Sequence, residues 1–290
     1  SEAAQAADRF AAPALVSLTD HDSITAALGL AAVGMDGCCP VSTEWTVPFC
    51  GTIFHLGLHN LPPESAAAMM REFAAFTADP ADRTLAALLA WVHAAPATLI
   101  VLNHPLWNAH VDTAQSRAAL VDFLATYRRY LHATEINGYR RHAENKAVIR
   151  LGREWGLPVL GGGDRHGRAA NAMLNVTQAA TFDEFAQEVR GGAACTVVMP
   201  EYREHPATRV LGVVADVLGE NPVADPLQRH WTQRVFVTRE DGRQQSLAEF
   251  WAPKAPALIR GCAAVAALLG SGRARQALRI GLAVGDGGVL

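Results

Sequence analysis

Residues 141–167 read RHAENKAVIRLGREWGLPVLGGGDRHG. The pattern predicts a helix over 141–155, ended by a glycine and a proline, and then a short apolar strand over 157–160. Three glycines follow the strand and lead directly into Asp164 and His166. A helix, a strand and a polar loop in this order are typical of an α/β fold, in which ligands bind beyond the strand ends.

The same alternation of alanine-rich helical patterns and short apolar runs extends from the N-terminus to about residue 200. The predicted strands cover residues 15–19, 41–47, 52–58, 98–103, 133–137, 157–160 and 195–199. The predicted helices cover residues 2–11, 24–33, 64–78, 84–94, 114–130 and 141–155. Seven short strands with helices between them suit a closed or nearly closed barrel, although an open, doubly wound sheet would give a similar pattern.

A chain of 290 residues corresponds to about two domains. We predict one domain over residues 1–200 and an appended segment over residues 201–290, where the regular alternation is lost. The appended segment contains a proline-bearing stretch, a predicted strand over 234–238 and two alanine-rich helices. Its role is not specified by the sequence, and neither is the oligomeric state.

The composition excludes several classes of protein. Half of the residues are hydrophobic and 18% are charged, which describes a globular chain and not a disordered one. The net charge is −3 and there is no basic block, so long nucleic acid is not an expected partner. The chain has two lysines, and neither follows a glycine, which excludes a phosphate-binding loop that ends in Gly-Lys.

The cysteines and the hydropathy indicate where the protein works. The five cysteines are odd in number and form no Cys-x-x-Cys pair, which argues against a disulfide framework and a thiolate zinc site. No apolar run reaches the ~18 residues of a membrane span, and the N-terminus has no signal-peptide pattern. We therefore expect a cytoplasmic protein without a membrane partner.

Histidines and carboxylates recur at the ends or on the faces of five predicted strands. They are His21, Glu44, His55, His104, Asp164 and His166. Each has an ordinary structural explanation: a strand histidine is often a hydrogen-bonded core residue, a His-Pro pair can form a turn, and a glutamate can lie on an edge strand. Their recurrence on successive strands favours a polynuclear metal site, because buried charges of this kind need a partner or a metal.

The six residues offer only nitrogen and oxygen donors, which suit Mn²⁺, Fe²⁺ or Zn²⁺, and Glu44 could bridge two ions. Two metal ions about 3.5 to 4 Å apart activate water and hold the attacking and leaving oxygens of a phosphoryl displacement. The pattern therefore predicts hydrolysis of a phosphate ester, with metal-activated water as the nucleophile.

These segments resemble, in order, the motifs of the polymerase and histidinol phosphatase (PHP) superfamily. The matching segments are Thr19-Asp-His-Asp-Ser23, Glu44, His55-Leu-Gly57, Asn103-His-Pro105, Glu135-Ile-Asn137 and Gly162-Gly-Asp-Arg-His-Gly167. The resemblance implies a distorted (β/α)₇ barrel of PHP type with two or three divalent metal ions at the strand C-termini. The implied metal ligands are His21, Glu44, His55, His104, Asp164 and His166, and the implied pocket residues are Glu135 and Asn137.

The sequence departs from this family at its start. Family members begin with a strand that carries His-x-His, and here the predicted helix over 2–11 corresponds to the element that follows this strand. The resemblance therefore implies that the first strand lies upstream of Ser1, or that this chain is a degenerate member.

Other residues near the motifs are assigned supporting roles. Asp20 would orient a ligating imidazole. His110 would act as a general acid. A substrate phosphate would be held by arginines that can bind it bidentately, namely Arg140, Arg165 and Arg168.

The most direct interpretation is a phosphoesterase that hydrolyses a small phosphomonoester, such as a nucleotide or a sugar phosphate. Three alternatives remain open at this point. The chain could be a catalytically silent PHP-like module that binds or supports other molecules, a nuclease that acts on short oligonucleotides, or a metal-dependent amide hydrolase on a related barrel.

Overall fold

A computed structural model describes residues 7–34, 39–107, 113–164, 171–219, 230–239, 243–271, 274 and 276–278. The chain divides into two compact units. The first is built mainly from residues 1–163 and 172–199, and the second from residues 164–171 and 200–289. Among the described helices, none is both long and apolar enough to cross a lipid bilayer.

The first unit is a mixed α/β structure around a five-stranded sheet, which confirms the predicted α/β class. The strands are β1 (Thr43–Phe49), β2 (Thr52–His59), β3 (Leu99–Asn103), β4 (Ala133–Asn137) and β5 (Val159–Gly162). They lie in the order β1-β2-β3-β4-β5. The pairs β1–β2 and β2–β3 are antiparallel, whereas β3–β4 and β4–β5 are parallel.

Helices and a small second sheet complete this unit. The helices are α1 (Thr25–Ala32), α2 (Pro63–Ala78), α3 (Asp82–Ala94), α4 (Thr113–Tyr127), α5 (His142–Trp155) and α6 (Phe182–Arg190), with a 3₁₀ turn at Arg128–Tyr130. The small antiparallel sheet consists of β6 (Met173–Asn175) and β7 (Thr196–Val198). The α2 to α5 helices follow the sequence prediction closely, while α6 and β6 were not predicted.

The turn between β1 and β2 fixes which residues face each other. Cys50 and Gly51 have φ angles of 48° and 72°, the left-handed pair required by a two-residue hairpin turn that matches strand twist. In the resulting register, Glu44 lies opposite Gly57, and His55 lies opposite Asn103 on β3. Directly opposed residues point to the same face of a sheet, so these four residues share one face.

The other face of β1, β2 and β3 is apolar and forms the main core. Trp45 on β1 is fully buried and stacks on Phe73 of α2, with ring centroids 4.4 Å apart. Further apolar side chains come from all three strands and from the helices α2, α3 and α4. A smaller cluster on the opposite face includes Leu99, Val101 and residues of α6. That cluster covers the polar face near Leu99 and Val101. The polar residues Glu44, His55 and Asn103 lie on the part of this face nearer the C-terminal end of β3.

The predicted first strand and the predicted closed barrel are not formed by the described residues. Residues 15–19 were predicted to form a strand, but they make no regular ladder, and pairing in this region is limited to one parallel bridge between His21 and Glu44. Asp22, directly after this bridge, adopts a left-handed φ of 50°. The described strands form an open sheet with an antiparallel hairpin and do not close into a barrel. Residues 7–10 of the predicted first helix are helical.

The second unit is mainly helical. Its elements are a 3₁₀ turn at Pro200–Arg203, α7 (Pro206–Leu218), α8 (Trp231–Arg234), β8 (Phe236–Thr238), β9 (Gln244–Ser246), α9 (Leu247–Phe250) and α10 (Ala257–Leu269). The strands β8 and β9 form an antiparallel pair, and α7 packs against α10. The predicted strand over 234–238 thus corresponds to β8.

Candidate metal centre

Glu44 lies at the centre of a cluster of three histidines. Its side chain is buried, and its Oε1 lies 3.1 Å from His104 Nε2 and 3.3 Å from His55 Nδ1. Its second oxygen, Oε2, lies 3.8 Å from His21 Nε2. One oxygen of this carboxylate therefore lies close to two histidines, and the other oxygen lies closest to a third.

The donor atoms have the spacing of ligands around a metal. His55 Nδ1 and His104 Nε2 are 3.4 Å apart, and both are within 3.3 Å of Glu44 Oε1. Ligands bound at about 2.1 Å in a tetrahedral site lie about 3.4 Å from one another. The donors of His21, Glu44 and His55 also lie within 4.8 Å of one another. The chemistry and spacing of this donor set fit a divalent metal ion.

The electrostatics keep Glu44 ionised. Burial by itself raises the pKa of this carboxyl group. Hydrogen bonds with His104 and His55, and the charges of His104 and His21, outweigh burial and hold the pKa well below the usual range of a glutamate. Asn103 adds a further hydrogen bond from its Nδ2 to Glu44 Oε1, at 3.2 Å.

The segment around His21 is tied to β1 by main-chain hydrogen bonds. The Glu44 N–H donates to the Asp20 carbonyl at 3.1 Å, and the Asp22 N–H donates to the Glu44 carbonyl at 2.9 Å. The Asp22 carboxylate accepts hydrogen bonds from the main chain and the hydroxyl of Thr46. The Asp20 carbonyl thus helps to place His21. The Asp20 side chain is exposed, and its role in orienting an imidazole stays a prediction.

His104 is held in an uncommon backbone conformation. Its φ is 27°, in the left-handed region that residues with a side chain rarely adopt. Its N–H donates to Glu135 Oε2 at 3.0 Å, and both residues are buried. Glu135, predicted to line the pocket, therefore stabilises the main chain of a candidate metal ligand.

A glycine on β5 makes room for Glu135. A Cβ atom at Gly162 would overlap the Glu135 carboxylate, so residue 162 must lack a side chain for Glu135 to reach His104. Glycine permits such a close approach because it has no Cβ atom, and the partner here is the Glu135 side chain.

The other predicted site residues are placed as follows. Asn137 is fully buried at the end of β4, where its Oδ1 accepts a hydrogen bond from the Tyr139 N–H. The Arg140 guanidinium lies 4.9 Å from the centroid of the Trp107 ring. Asp164 follows β5, is half-buried and has a φ of 40°. Four predicted residues lie outside the described residues: His110, Arg165, His166 and Arg168.

Some residues of this region were not assigned a role from the sequence. Asn103 lies within a PHP-like motif but was given no role, although its Nδ2 donates a hydrogen bond to Glu44 Oε1. His59 was placed beyond the end of its strand, but β2 continues to it. Ser17 Oγ lies 2.8 Å from His59 Nδ1. Burial lowers the pKa of His59 to about 4, although the negative charge of Glu44 acts to raise it. The two-residue spacing of 55, 57 and 59 was the signal that places all three on one face.

Comparison with known proteins adds little to this description. No protein-family model matches the chain, and no curated protein matches it in sequence. One similar solved structure is that of a candidate metal-dependent phosphoesterase from Bifidobacterium adolescentis, with 15% sequence identity and a TM-score of 0.36. The match covers 65% of this chain and 88% of that chain. A likeness of this degree does not identify the fold or the activity of this chain.

Proposed function

We propose that this chain is a metal-dependent phosphoesterase that hydrolyses a small phosphomonoester. The observation that carries the proposal is the position of the Glu44 carboxylate, which is ionised, buried and shared between His21 on one side and His55 with His104 on the other. The order of the PHP-like motifs in the sequence supports the same activity, and we propose that residues 1–200 belong to a distorted barrel of PHP type.

The described residues would divide the work in a defined way. His21, Glu44, His55 and His104 would hold two or three divalent ions, which are Mn²⁺, Fe²⁺ or Zn²⁺ by donor type. Bound ions of this kind supply an activated water and stabilise the charge that develops on phosphoryl oxygens. Asn103 hydrogen-bonds Glu44, and Glu135 hydrogen-bonds the main chain of His104, so both would keep the ligands in place. Arg140 lies beside the Trp107 ring, which in turn contacts the His104 ring.

The proposal is tested by elemental analysis and a phosphatase screen on the same preparations. We expect the purified protein to contain divalent metal and to hydrolyse small phosphomonoesters with added Mn²⁺. Glu44→Gln keeps the size of the side chain but removes its charge, so metal content and activity should both fall, as they should in His104→Ala. Glu72→Gln, at an exposed position on α2, is the matched control and should retain both.

The outcomes separate the proposal from its alternatives. Metal content without hydrolysis of any phosphate ester would favour a silent module. Cleavage of amides, or of short oligonucleotides alone, would favour the other two hydrolases. Equal activity in the wild type, Glu44→Gln and His104→Ala would contradict the proposed site.

A further inference from the structure

A partly exposed tryptophan stands next to the candidate metal ligands. Trp107 follows the end of β3 by four residues, and its main-chain N–H donates to the carbonyl of His104 at 2.9 Å. Its ring centroid lies 5.4 Å from that of His104 and 5.9 Å from that of His55. The residue is 39% exposed, so a large aromatic surface remains in contact with solvent beside the cluster.

The orientation of this indole is fixed by its neighbours. The ring meets His104 edge to face, at an interplanar angle of 82°. The Arg140 guanidinium also lies 4.9 Å from the ring centroid, within the range of a cation–π contact. Arg140 Nε in turn lies 3.9 Å from Glu144 Oε1. An aromatic group held by contacts with several neighbours costs little further conformational entropy when it binds a ligand.

We infer that Trp107 selects substrates whose leaving alcohol carries an aromatic ring, and that the substrate class of the proposed phosphoesterase is nucleoside monophosphates. This inference rests on the function proposed above. In a nucleoside 5′-monophosphate the base is separated from the phosphate by one sugar ring, and in the protein the Trp107 ring is next to the rings of His55 and His104. A phosphate held at these two ligands would therefore bring a base within reach of the indole.

The side chains of Trp107 and Arg140 suit a nucleobase better than a sugar. The indole offers a flat apolar surface, and the neighbouring guanidinium also stacks on planar rings. A base that stacks on an aromatic side chain gains affinity whatever its identity, because every base has a π-face. A sugar phosphate without a base would leave the indole in water and gain nothing from it.

Two matched substrates isolate this contact. Adenosine 5′-monophosphate and ribose 5-phosphate carry the same ester on the same sugar carbon and differ in the base. A stacking contact of this type changes affinity by about 5- to 150-fold. We expect kcat/KM of the wild type to favour adenosine 5′-monophosphate by a factor in this range. Trp107→Leu should remove the preference, so that the ratio of its two kcat/KM values falls to within about twofold of one.

Controls distinguish recognition from structural damage. Trp107→Phe keeps an aromatic ring and should keep most of the preference, and elemental analysis should show the same metal content in the wild type and both variants. Equal kcat/KM of the wild type for the two substrates would overturn the inference. A Trp107→Leu variant that loses activity on both substrates equally would also overturn it, because the residue would then act by positioning Arg140 or the histidines.

Failure of the proposed function is a separate result. If the metal-loaded wild type hydrolyses neither substrate, calorimetric titration of both compounds still measures the contact with Trp107. Tighter binding of adenosine 5′-monophosphate in the wild type but not in Trp107→Leu would support the inference for a protein that binds without catalysis. Equal affinities would overturn it.

Discussion

Individual residues in this site depend on space left by glycines. Gly57 lies opposite Glu44, and a Cβ atom there would meet His59 Nε2 at 2.7 Å and Asn103 Oδ1 at 2.8 Å. Gly162 leaves the space that the Glu135 carboxylate occupies. Both glycines belong to motifs, but only the structure identifies the side chains for which they make room. The strand period of two predicts which side chains share a face of a strand, but it does not predict contacts between strands far apart in the chain.

Substitution of Gly162 tests this dependence. Gly162→Ala should push the Glu135 carboxylate away from the His104 N–H and release His104 from its left-handed conformation. Loss of a supporting contact of this kind typically lowers metal affinity by about 10- to 100-fold. Calorimetric titration with Zn²⁺ measures the change.

The matched control is Gly29→Ala, which makes the same replacement in α1 where a Cβ atom meets nothing within 4 Å. It should bind Zn²⁺ as the wild type does. Unchanged affinity in Gly162→Ala would contradict the supporting role assigned to Glu135.

At the scale of the elements, His132 joins β3 to the segment that leads into β4. Its main-chain N–H donates to the Ile100 carbonyl at 2.9 Å, and its ring Nδ1 accepts a hydrogen bond from the Ile100 N–H at 2.9 Å. Its Nε2 lies 3.0 Å from His93 Nδ1 on α3. Because Nδ1 accepts, the proton of the neutral ring is on Nε2, which then donates to His93.

This arrangement predicts a loss of stability in acid. Burial, with the charges of Arg190 and His93, lowers the pKa of His132 from 6.5 to about 3. The unfolded chain therefore binds a proton that the folded chain excludes, so the free energy of unfolding decreases as the pH falls from 6.5 towards 3. The slope from this group is about 1.4 kcal/mol per pH unit.

Urea denaturation at pH 7 and pH 5 measures the effect. His132→Asn keeps an acceptor for the Ile100 N–H but cannot take up a proton, so the variant should lose about 2 kcal/mol less than the wild type between these pH values. Identical losses in the two proteins would show that His132 does not titrate in this way.

Element boundaries were predictable where pattern and punctuation agreed, and less so elsewhere. Proline at the start of α2 and glycine after α5 mark helix ends that the structure reproduces. Residues 15–19 have the composition of a strand, but composition does not reveal that Asp22 turns the chain after a single bridge. The strand β6 has no β-branched residue, whereas the equally short strands β7 and β8 do and were predicted.

At the scale of the whole molecule, the polar face of the first unit has a covered part and a part that carries the candidate site. The helix α6 covers this face near Leu99 and Val101, and the Glu44 cluster lies nearer the C-terminal end of β3. Metal binding should therefore couple to the stability of the sheet and not only to local order. The division of the chain at residue 200 into a catalytic domain and an appended segment stays a prediction, as does the closed barrel, because barrel closure depends on pairing between the first and last strands, which a local pattern does not contain.

This coupling predicts that metal raises the melting temperature. A ligand at 100 times its dissociation constant stabilises a folded protein by about 2.7 kcal/mol. Thermal denaturation with and without excess Zn²⁺ should therefore show a higher Tm for the wild type and for Glu72→Gln. Glu44→Gln should show little change. An equal shift in all three proteins would indicate that Zn²⁺ binds elsewhere.

The position of the metal can be measured directly. Anomalous diffraction from crystals of the Zn²⁺-loaded protein, recorded at the zinc absorption edge, locates the ions without reference to activity. We predict a peak within about 2.0 to 2.2 Å of Glu44 Oε1, His55 Nδ1 and His104 Nε2. Full zinc occupancy at any other place, with no peak among these three atoms, would contradict the proposed metal centre.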